Sequence, residues 1–274
     1  MKEFEHFFLS NNCPGSKIDN NKKMYALIDV ANGNMSKVKE LTKLSKKKYG
    51  DRLILMVGNI ANPETYRVLS EAGADYCRVG VGNGSSCLTT QQLGIGYAAG
   101  SLVSECYEEY CKLDNPAKIV ADGGFKKYAD IIKSFSVGST HIMLGSIFNK
   151  SLESCADTFE ENQSHGNWKT PGEKVDQYSK FIKNKFNNGS KFYKKFRGMS
   201  TKEVQKELGN EKLKTSEGIV KINPVEYTIE SWVENFDSYL KSAMSYTNKR
   251  NLNDFVGEVE IIKITDNAFR RYNK

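Results

Sequence analysis

A glycine-rich segment with one cysteine and two threonines is the part of this 274-residue sequence best suited to chemistry. It runs from residue 78 to residue 90, reads RVGVGNGSSCLTT, and follows an apolar run. Glycines at positions 80, 82 and 84 let the backbone turn tightly and approach a ligand closely. A cysteine on such a loop lies near main-chain N–H groups, a setting typical of reactive thiols. Although most loop cysteines are inert, these neighbours make Cys87 the predicted nucleophile.

The composition is typical of a globular protein. Hydrophobic residues make up 39% and charged residues 27% of the chain, and the length fits one large α/β domain. The sequence contains no apolar run long enough to span a membrane, and residues 1–20 lack the basic-then-apolar plan of a signal peptide. We therefore expect a cytoplasmic protein that neither spans a membrane nor is secreted.

The cysteines and the charge distribution disfavour two classes of site. The six cysteines form no Cys-x-x-Cys pair and the chain has three histidines, so we expect free, mostly buried thiols rather than a zinc site. The net charge is +7, and lysines and arginines are concentrated at residues 43–48 and 180–197. Such clusters attract nucleic acid or small anions, but no nucleic-acid-binding motif accompanies them. We expect a solvated lysine-rich face and no nucleic-acid partner.

Apolar runs alternate with helical patterns between residues 24 and 150, which predicts parallel strands joined by crossover helices. The predicted strands are Met24–Val30, Leu53–Val57, Tyr76–Val81, Lys118–Ala121 and Thr140–Leu144. The predicted helices are Val38–Tyr49, Asn62–Gly73, Gly100–Leu113 and Tyr128–Val137, with Asn62 and Pro63 forming a helix-start signal. In a (β/α) barrel the carboxyl ends of the strands meet at one mouth. The residues expected there are Asp29, Asn59, Gly80, Asp122 and Gly145.

The alternating pattern stops at residue 151. Residues 151–195 have no sustained period, which predicts a long flap insertion. The polar stretch 184–195 is expected to be disordered until something binds, or to belong to an insertion without function. Order returns in the tail, where Trp232 and Phe236 belong to a helical stripe interpreted as core, and Glu258–Ile264 is predicted as an edge strand.

The cysteine segment and several further motifs resemble the IMP dehydrogenase and GMP reductase family. The loop Gly80–Cys87 is similar to the family's G-x-G-P-G-S-x-C loop. Gly58-Asn59, Asp122-Gly123-Gly124 and Met143-Leu-Gly-Ser146 resemble its other strand ends and occur in the family's order. The resemblance spans residues 24–265 and implies a (β/α) barrel of the TIM type. Five of its strand–helix units, the last five, are recognisable here.

Smaller features favour the reductase branch of the family. Asp29-Val-Ala-Asn-Gly33 resembles its D-V-A-N-G motif, where dehydrogenases more often have D-x-A-H-G. Segments 94–97, 197–200 and 216–218 also resemble the reductase. Dehydrogenases use an Arg-Tyr pair to activate water, and none occurs between residues 151 and 217. No regulatory domain pair interrupts the predicted barrel, which also fits the reductase.

The resemblance implies NADPH-dependent reductive deamination of GMP to IMP and ammonia. Cys87 would attack the purine C2 to form a thioimidate, while Thr89 and Glu217 would manage the proton that lets ammonia leave. The implied substrate-binding residues are Ser85, Asp122, Gly123, Gly124, Gly145, Ser146, Gly198, Met199, Ser200, Lys214, Ser216 and Gly218. The implied NADPH-binding residues are Asp29, Val30, Ala31, Asn59, Val81, Gly82 and Met199. Carbonyls of Gly82, Gly84 and Cys87 would bind a monovalent cation such as K⁺.

The sequence departs from the family pattern around this site. Asn83 replaces the loop proline, while Thr90 and Lys214 stand where arginines are common. Lysine keeps the charge but loses the planar fork of arginine. These changes bear on cofactor and cation binding more than on the nucleophile.

The barrel predicted from the sequence is partial. A TIM barrel has eight strand–helix units, whereas the first recognisable strand begins at Met24 and residues 1–23 are an irregular segment too short and polar for three units. We therefore assign residues 24–274 to a partial barrel. An open sheet exposes two edges, an aggregation hazard. We expect a separate chain to supply the first three units, or subunits to pair edge to edge in a homo-oligomer.

Two other functions stay open from the sequence. IMP dehydrogenase, which uses NAD and water, shares the nucleophile Cys87. A non-catalytic nucleotide-binding or assembly subunit would also fit an incomplete barrel with altered neighbours of that cysteine.

Overall fold

The alternating apolar runs form a five-stranded parallel sheet with the strand order β1-β2-β3-β4-β5. The computed structural model describes residues 23–85, 87–161, 172–197, 201–207, 209 and 220–272. The strands are β1 (Met24–Asp29), β2 (Leu53–Ile60), β3 (Tyr76–Val79), β4 (Lys118–Asp122) and β5 (His141–Met143). The α/β class and all five predicted strands are confirmed, whereas the partial barrel stays a prediction.

Helices follow each of the first four strands, and the longer ones pack on one face of the sheet. They are α1 (Ser36–Tyr49), α2 (Pro63–Glu71), α3 (Thr89–Leu93), α4 (Ala99–Tyr110) and α5 (Tyr128–Ser136), and the short α6 (Ser146–Asn149) follows β5. The start of α2 matches the prediction, because the side chain of Asn62 accepts a hydrogen bond from Thr65 N at 2.7 Å and Pro63 occupies the first turn.

The core of this half lies between the sheet and its helices. Ile28, Val57, Cys77 and Ile119 are aligned across β1 to β4, and each is at most 7% exposed. Residues aligned in a parallel sheet point to the same face. This face therefore packs on the apolar sides of the helices and fixes where the strands end.

Residues 158–224 contain a second, antiparallel sheet, which corrects the expectation of a structureless insertion. Its order is β7-β6-β8-β9, and its strands are β6 (Thr158–Glu160), β7 (Lys174–Val175), β8 (Phe192–Arg197) and β9 (Val220–Pro224). Helix α7 (Lys180–Asn187) precedes β8, and α8 (Lys202–Glu207) follows it. The stretch 184–195 was expected to be disordered, but it lies in α7 and β8 because Phe192 and Ile182 share a small core with Leu152.

The C-terminal part confirms one prediction and overturns another. In α9 (Ile229–Tyr246), Trp232 is 5% exposed and its ring lies 5.3 Å from that of Phe236, so the stripe is core. The segment 258–264 forms no strand; it carries apolar residues but finds no neighbour to pair with, and Ile262 is 75% exposed. Two short helices, α10 (Leu252–Phe255) and α11 (Asp266–Tyr272), flank it.

The burial of the cysteines differs from the expectation. The five cysteines in the described part are free thiols, but Cys77 and Cys106 alone among them are buried. The expectation of mostly buried thiols is wrong because Cys111 and Cys155 lie in exposed loops. No helix in the described part is long and apolar enough to cross a membrane.

Candidate active site

A cavity of about 920 Å³ opens at the carboxyl ends of the parallel strands. Every predicted site residue that lies in the described part of the chain lines this cavity. These residues are Asp29, Val30, Ala31, Asn59, Val81, Gly82, Gly84, Ser85, Cys87, Thr89, Asp122, Gly123, Gly124, Gly145 and Ser146. The roles of these residues remain predictions, but their convergence in one cavity is a property of the fold.

The cysteine lies between the end of β3 and the start of α3. Its backbone N–H donates to Gly84 O at 2.9 Å, which closes a tight turn in the glycine-rich loop. The thiol is half-buried and donates to the hydroxyl oxygen of Thr89 at 3.2 Å. The nucleophile and the threonine predicted to handle a proton are therefore direct neighbours at the cavity wall.

The cysteine loop rests against the turn that follows β4, and glycine makes this approach feasible. Gly123 has a φ of +92°, and a Cβ built on it would lie 2.9 Å from the backbone nitrogen of Gly84. A larger residue would have to push the two backbones apart and adopt a conformation that L-residues rarely take. The contact fixes the position of the cysteine loop relative to Asp122.

Arg78 links carboxylates from two strands at the cavity floor. Its Nε donates to Asp122 Oδ2 at 2.9 Å, and one of its terminal nitrogens donates to Asp29 Oδ1 at 3.0 Å. Asn59 Nδ2 also donates to Asp122 Oδ2, at 2.8 Å, and to Gly80 O, at 2.7 Å. These bonds hold Oδ2 of Asp122, and no side chain in the described part of the chain donates to its Oδ1. The guanidinium group of arginine carries several N–H donors in one plane, so it can bind two carboxylates at once.

The end of the cavity near β5 is electropositive. A second cavity of about 740 Å³ adjoins it, and both are lined by Ser85 and Ser146. Four lysines and one carboxylate line the second cavity: Lys126, Lys127, Lys150, Lys221 and Glu226, which pairs with Lys150 at 2.7 Å. Lys221 donates to the carbonyl oxygen of Ser85 at 2.8 Å. An anionic group at this end would meet main-chain donors near the glycines after β4 and β5, with lysines behind them.

Seven predicted site residues lie outside the described residues. They are Gly198, Met199, Ser200, Lys214, Ser216, Glu217 and Gly218. The strand β8 leads directly to the first three, and its last residues, Phe196 and Arg197, line the main cavity. The antiparallel sheet therefore reaches the mouth formed by the parallel strands.

The sequence assigned no role to several residues that line the cavity, and Arg78 is the most important of them. The signal was present, because Arg78 is a charged residue inside an apolar strand, two positions before a glycine that was placed at the mouth. Alternate residues of a strand share a face, so Arg78 had to point the same way as Gly80. Asn32, Asn34 and Asn62 also line the cavity; Asn32 belongs to the motif at residues 29–33, whereas no sequence pattern singled out Asn34.

The described residues contain no group of three or more His, Cys, Asp or Glu side chains arranged to hold a metal ion. The carbonyl of Gly84 already accepts the N–H of Cys87, but a carbonyl oxygen has two lone pairs. The main-chain set of Gly82, Gly84 and Cys87 therefore keeps acceptor capacity for a monovalent cation.

Comparison with known proteins identifies the family. Residues 18–273 match the model of the IMP dehydrogenase / GMP reductase domain. The inosine-5'-monophosphate dehydrogenase of Chlorobaculum parvum is 30% identical over 244 residues, which cover 89% of this chain and 46% of that protein. The GMP reductase of Bacillus subtilis is 32% identical over 170 residues, 62% of this chain and 46% of that protein. The GMP reductase of Mesoplasma florum is 37% identical over 130 residues, 47% of this chain and 40% of that protein.

The matches therefore cover less than half the length of these relatives, one of which is named as a dehydrogenase and two as reductases. The matched region includes the cavity, its cysteine loop and all five parallel strands. The chain belongs to the IMP dehydrogenase / GMP reductase family.

Proposed function

We propose that the chain is the catalytic part of a GMP reductase, which converts GMP to IMP and ammonia with NADPH as the reductant. The observation that carries the proposal is the contact between the Cys87 thiol and the Thr89 hydroxyl, at 3.2 Å, in a cavity shared with Asp122. The contact supports the proposal because the three side chains assigned to attack, proton transfer and sugar binding line one cavity.

Cys87 performs the covalent step. Its sulfur adds to C2 of the purine, and its proton leaves through the adjacent hydroxyl of Thr89. The C2 amino group is expelled as ammonia once it has gained a proton, for which Thr89 and Glu217 are the proposed donors and relays. The product of this step is a thioimidate between Cys87 and the ring.

The remaining parts of the substrate fit the rest of the cavity. Asp122 is held by Arg78 and Asn59 through one oxygen, so the other can accept hydrogen bonds from ribose hydroxyls. The phosphate would lie at the electropositive end near Ser85 and Ser146. Gly124, in the loop after β4, and Gly145, in the loop after β5, allow close approach of backbone N–H groups there.

A nicotinamide cofactor would supply the hydride that reduces the thioimidate carbon and releases IMP. The residues proposed to hold it line the β1 end of the cavity: Asp29, Val30, Ala31, Asn59, Val81 and Gly82. The carboxylate of Asp29 is 62% exposed, so it can accept hydrogen bonds from the hydroxyl groups of a ribose. Met199 belongs to the same proposed set, and K⁺ is proposed at the carbonyls of Gly82, Gly84 and Cys87.

The reductase branch is favoured by the motif at residues 29–33 and by the lack of an Arg-Tyr pair before residue 217. We propose that the active form is an oligomer, in which another chain supplies the first three barrel units. The alternative dehydrogenase activity is motivated by the Chlorobaculum parvum relative, which aligns over 89% of this chain.

The test is turnover by the chain and its Cys87→Ala variant, with any co-purifying partner present. GMP with NADPH should give loss of absorbance at the nicotinamide band, and Cys87→Ala should lower kcat by at least about 10³-fold. Cys111→Ala is the matched control, because Cys111 is an exposed free thiol outside the cavity, and it should leave kcat unchanged. IMP with NAD giving NADH would establish the dehydrogenase instead, and nucleotide binding without either reaction would establish a non-catalytic role.

A further inference from the structure

The second cavity, which adjoins the β5 end of the main cavity, has walls that the proposed reaction does not use. Its volume of about 740 Å³ lies within the roughly 300–1,000 Å³ typical of small-molecule sites. Among the described residues, the two cavities share Ser85, Ser146 and Phe196 alone. The rest of its described lining comes from the start of α5, the region of α6, β9 with the turn after it, and α9. It is therefore a separate compartment beside the position proposed for the substrate phosphate.

The first two lysines of the second cavity belong to a fixed loop. Lys126 and Lys127 lie between β4 and α5, and the backbone N–H groups of both donate to Asp130 Oδ2 at 3.0 Å. Within the described part of the chain, neither lysine side chain forms an ion pair. The loop therefore presents two ammonium groups that an anion can bind.

Two further lysines reach the cavity from other elements, Lys150 from the end of α6 and Lys221 from β9. One carboxylate, that of Glu226, lies in the same lining and pairs with Lys150 at 2.7 Å. Four ammonium groups against one carboxylate leave a net charge of +3 in the described lining. Lysine binds phosphate groups as a compact point charge. This excess suits a ligand with several phosphates better than a ligand with one.

Aromatic side chains line the part of the cavity that α5 and α9 form. The ring of Tyr128 lies 5.1 Å from that of Tyr239 and 5.3 Å from that of Trp232. The tryptophan is core and holds Tyr128 in place, whereas Tyr239 is 55% exposed. Nucleic-acid bases stack on aromatic rings of this kind. Tyr239 therefore offers ring surface to a planar base.

We propose that the second cavity binds a nucleoside triphosphate. Its phosphates contact the four lysines, and its base packs against Tyr239. The volume, the excess of positive charge and the exposed ring lie together in one compartment, and each matches one property of such a ligand. This site is distinct from the main cavity, in which the cysteine loop receives the substrate base.

The bound triphosphate also weakens substrate binding. Ser85 and Ser146 line both cavities, and Lys221 donates to the carbonyl oxygen of Ser85 at 2.8 Å. Phosphates in the second cavity would therefore lie beside the substrate phosphate, and like charges at close range repel. The effect is reciprocal, so the substrate weakens binding of the triphosphate equally. This regulatory step rests on the proposed function, whereas the triphosphate site itself does not.

The first experiment is equilibrium dialysis of the full chain with ATP, with GTP and with tripolyphosphate. We expect at least one nucleotide to bind, and the double variant Lys126→Met, Lys127→Met should weaken its binding about tenfold, since it removes two charged contacts. Lys133→Met is the matched control, because Lys133 is an exposed lysine of α5 outside the lining, and it should change the Kd less than about twofold. Binding of neither nucleotide, or equal effects of the two sets of lysine variants, would overturn the proposal.

The contribution of the base is measured with Tyr239→Ala. This variant should weaken binding of the nucleotide about fivefold or more, the usual effect of losing a stacked aromatic ring, and leave binding of tripolyphosphate unchanged. Tyr246→Ala is the control, since Tyr246 lies on the same helix, is 94% exposed and does not line the cavity. Tripolyphosphate that binds as tightly as the nucleotides would reduce the cavity to an anion site and contradict the proposal.

The coupling is measured by titrating the nucleotide at increasing GMP concentrations. Its apparent Kd should rise about fivefold or more and then reach a plateau, because the two ligands occupy different cavities. A rise without limit would mean one shared site, and no rise on a protein saturated with GMP would refute the coupling. A protein that does not bind GMP would refute both the proposed function and the coupling, while the lysine and tyrosine variants would still decide whether the triphosphate site exists.

Discussion

The parallel sheet and the antiparallel sheet differ in how clearly the sequence encodes them. In the parallel half, the residues that face the helices are apolar in every strand, so each strand appears as an apolar run. In the antiparallel sheet, β8 places Phe192 and Lys194 at successive inward positions, and both are essentially unexposed. A lysine at an inward position breaks the alternation that identifies a half-buried strand.

The buried lysine explains how such a strand can exist. The Lys194 ammonium group donates to Ser154 O at 2.7 Å and to Ala156 O at 3.4 Å. These carbonyls offset part of the cost of removing the charge from water. Polarity alone therefore does not mark an insertion as unfolded when loop carbonyls can bind the buried charge.

The largest expected effect comes from removing the apolar anchor of the antiparallel sheet, Phe192. Phe192→Ala should destabilise this sheet by about 3–5 kcal/mol, the usual cost of truncating a buried aromatic side chain. Hydrogen exchange should accelerate in β6 to β9 and stay unchanged in β1 to β5. Phe181→Ala is the control, since Phe181 is 66% exposed. Accelerated exchange throughout the chain would show that the two sheets unfold as one unit.

The second prediction is that turnover depends on Arg78, which lies in the parallel sheet. Arg78→Met should lower kcat/KM about 10²-fold, because it frees the carboxylates of Asp29 and Asp122 from their shared cation. Arg78→Lys should not restore activity, since a lysine lacks the fork that reaches both. Arg67→Met removes an arginine from the surface pairs with Glu64 and Glu71 and should leave kcat/KM unchanged.

The third prediction concerns the pH dependence of stability that the buried Lys194 causes. Burial lowers the pKa of Lys194 to about 8, from 10.5 in the unfolded chain. The folded state therefore binds fewer protons between these values, and stability should rise with pH across this window. Between pH 7 and pH 9.5 the gain should be about 2 kcal/mol. Denaturant melts of Lys194→Met should lack this gain, and those of Lys191→Met, an exposed neighbour, should keep it.

The fourth and smallest effect concerns a helix start in the parallel half. Asn62→Ala removes the side-chain acceptor of the Thr65 N–H and should cost about 1 kcal/mol of unfolding free energy. The exposed loop residue Asn115 provides the control, and Asn115→Ala should leave the melting midpoint unchanged. Equal destabilisation by both variants would mean that the cap contributes nothing specific.

Much of the parallel half could be predicted because its local and tertiary signals agree. The strands, the cap at Asn62 and the five residues at the strand ends followed from short patterns in the sequence. The role of Arg78 did not, since its two carboxylate partners lie 49 and 44 positions away along the chain. The failed edge strand at residues 258–264 has an apolar pattern but no neighbouring strand, and pairing is not encoded locally.

Arg78 connects the edge strand of the parallel sheet to an inner strand. Its guanidinium group donates hydrogen bonds both to Asp29, at the border of the sheet, and to Asp122, nearer its middle. A ligand that engaged the outer carboxylate would leave this cation more fully to the inner one. The electrostatic environment of Asp122 therefore depends on what binds at the border of the sheet.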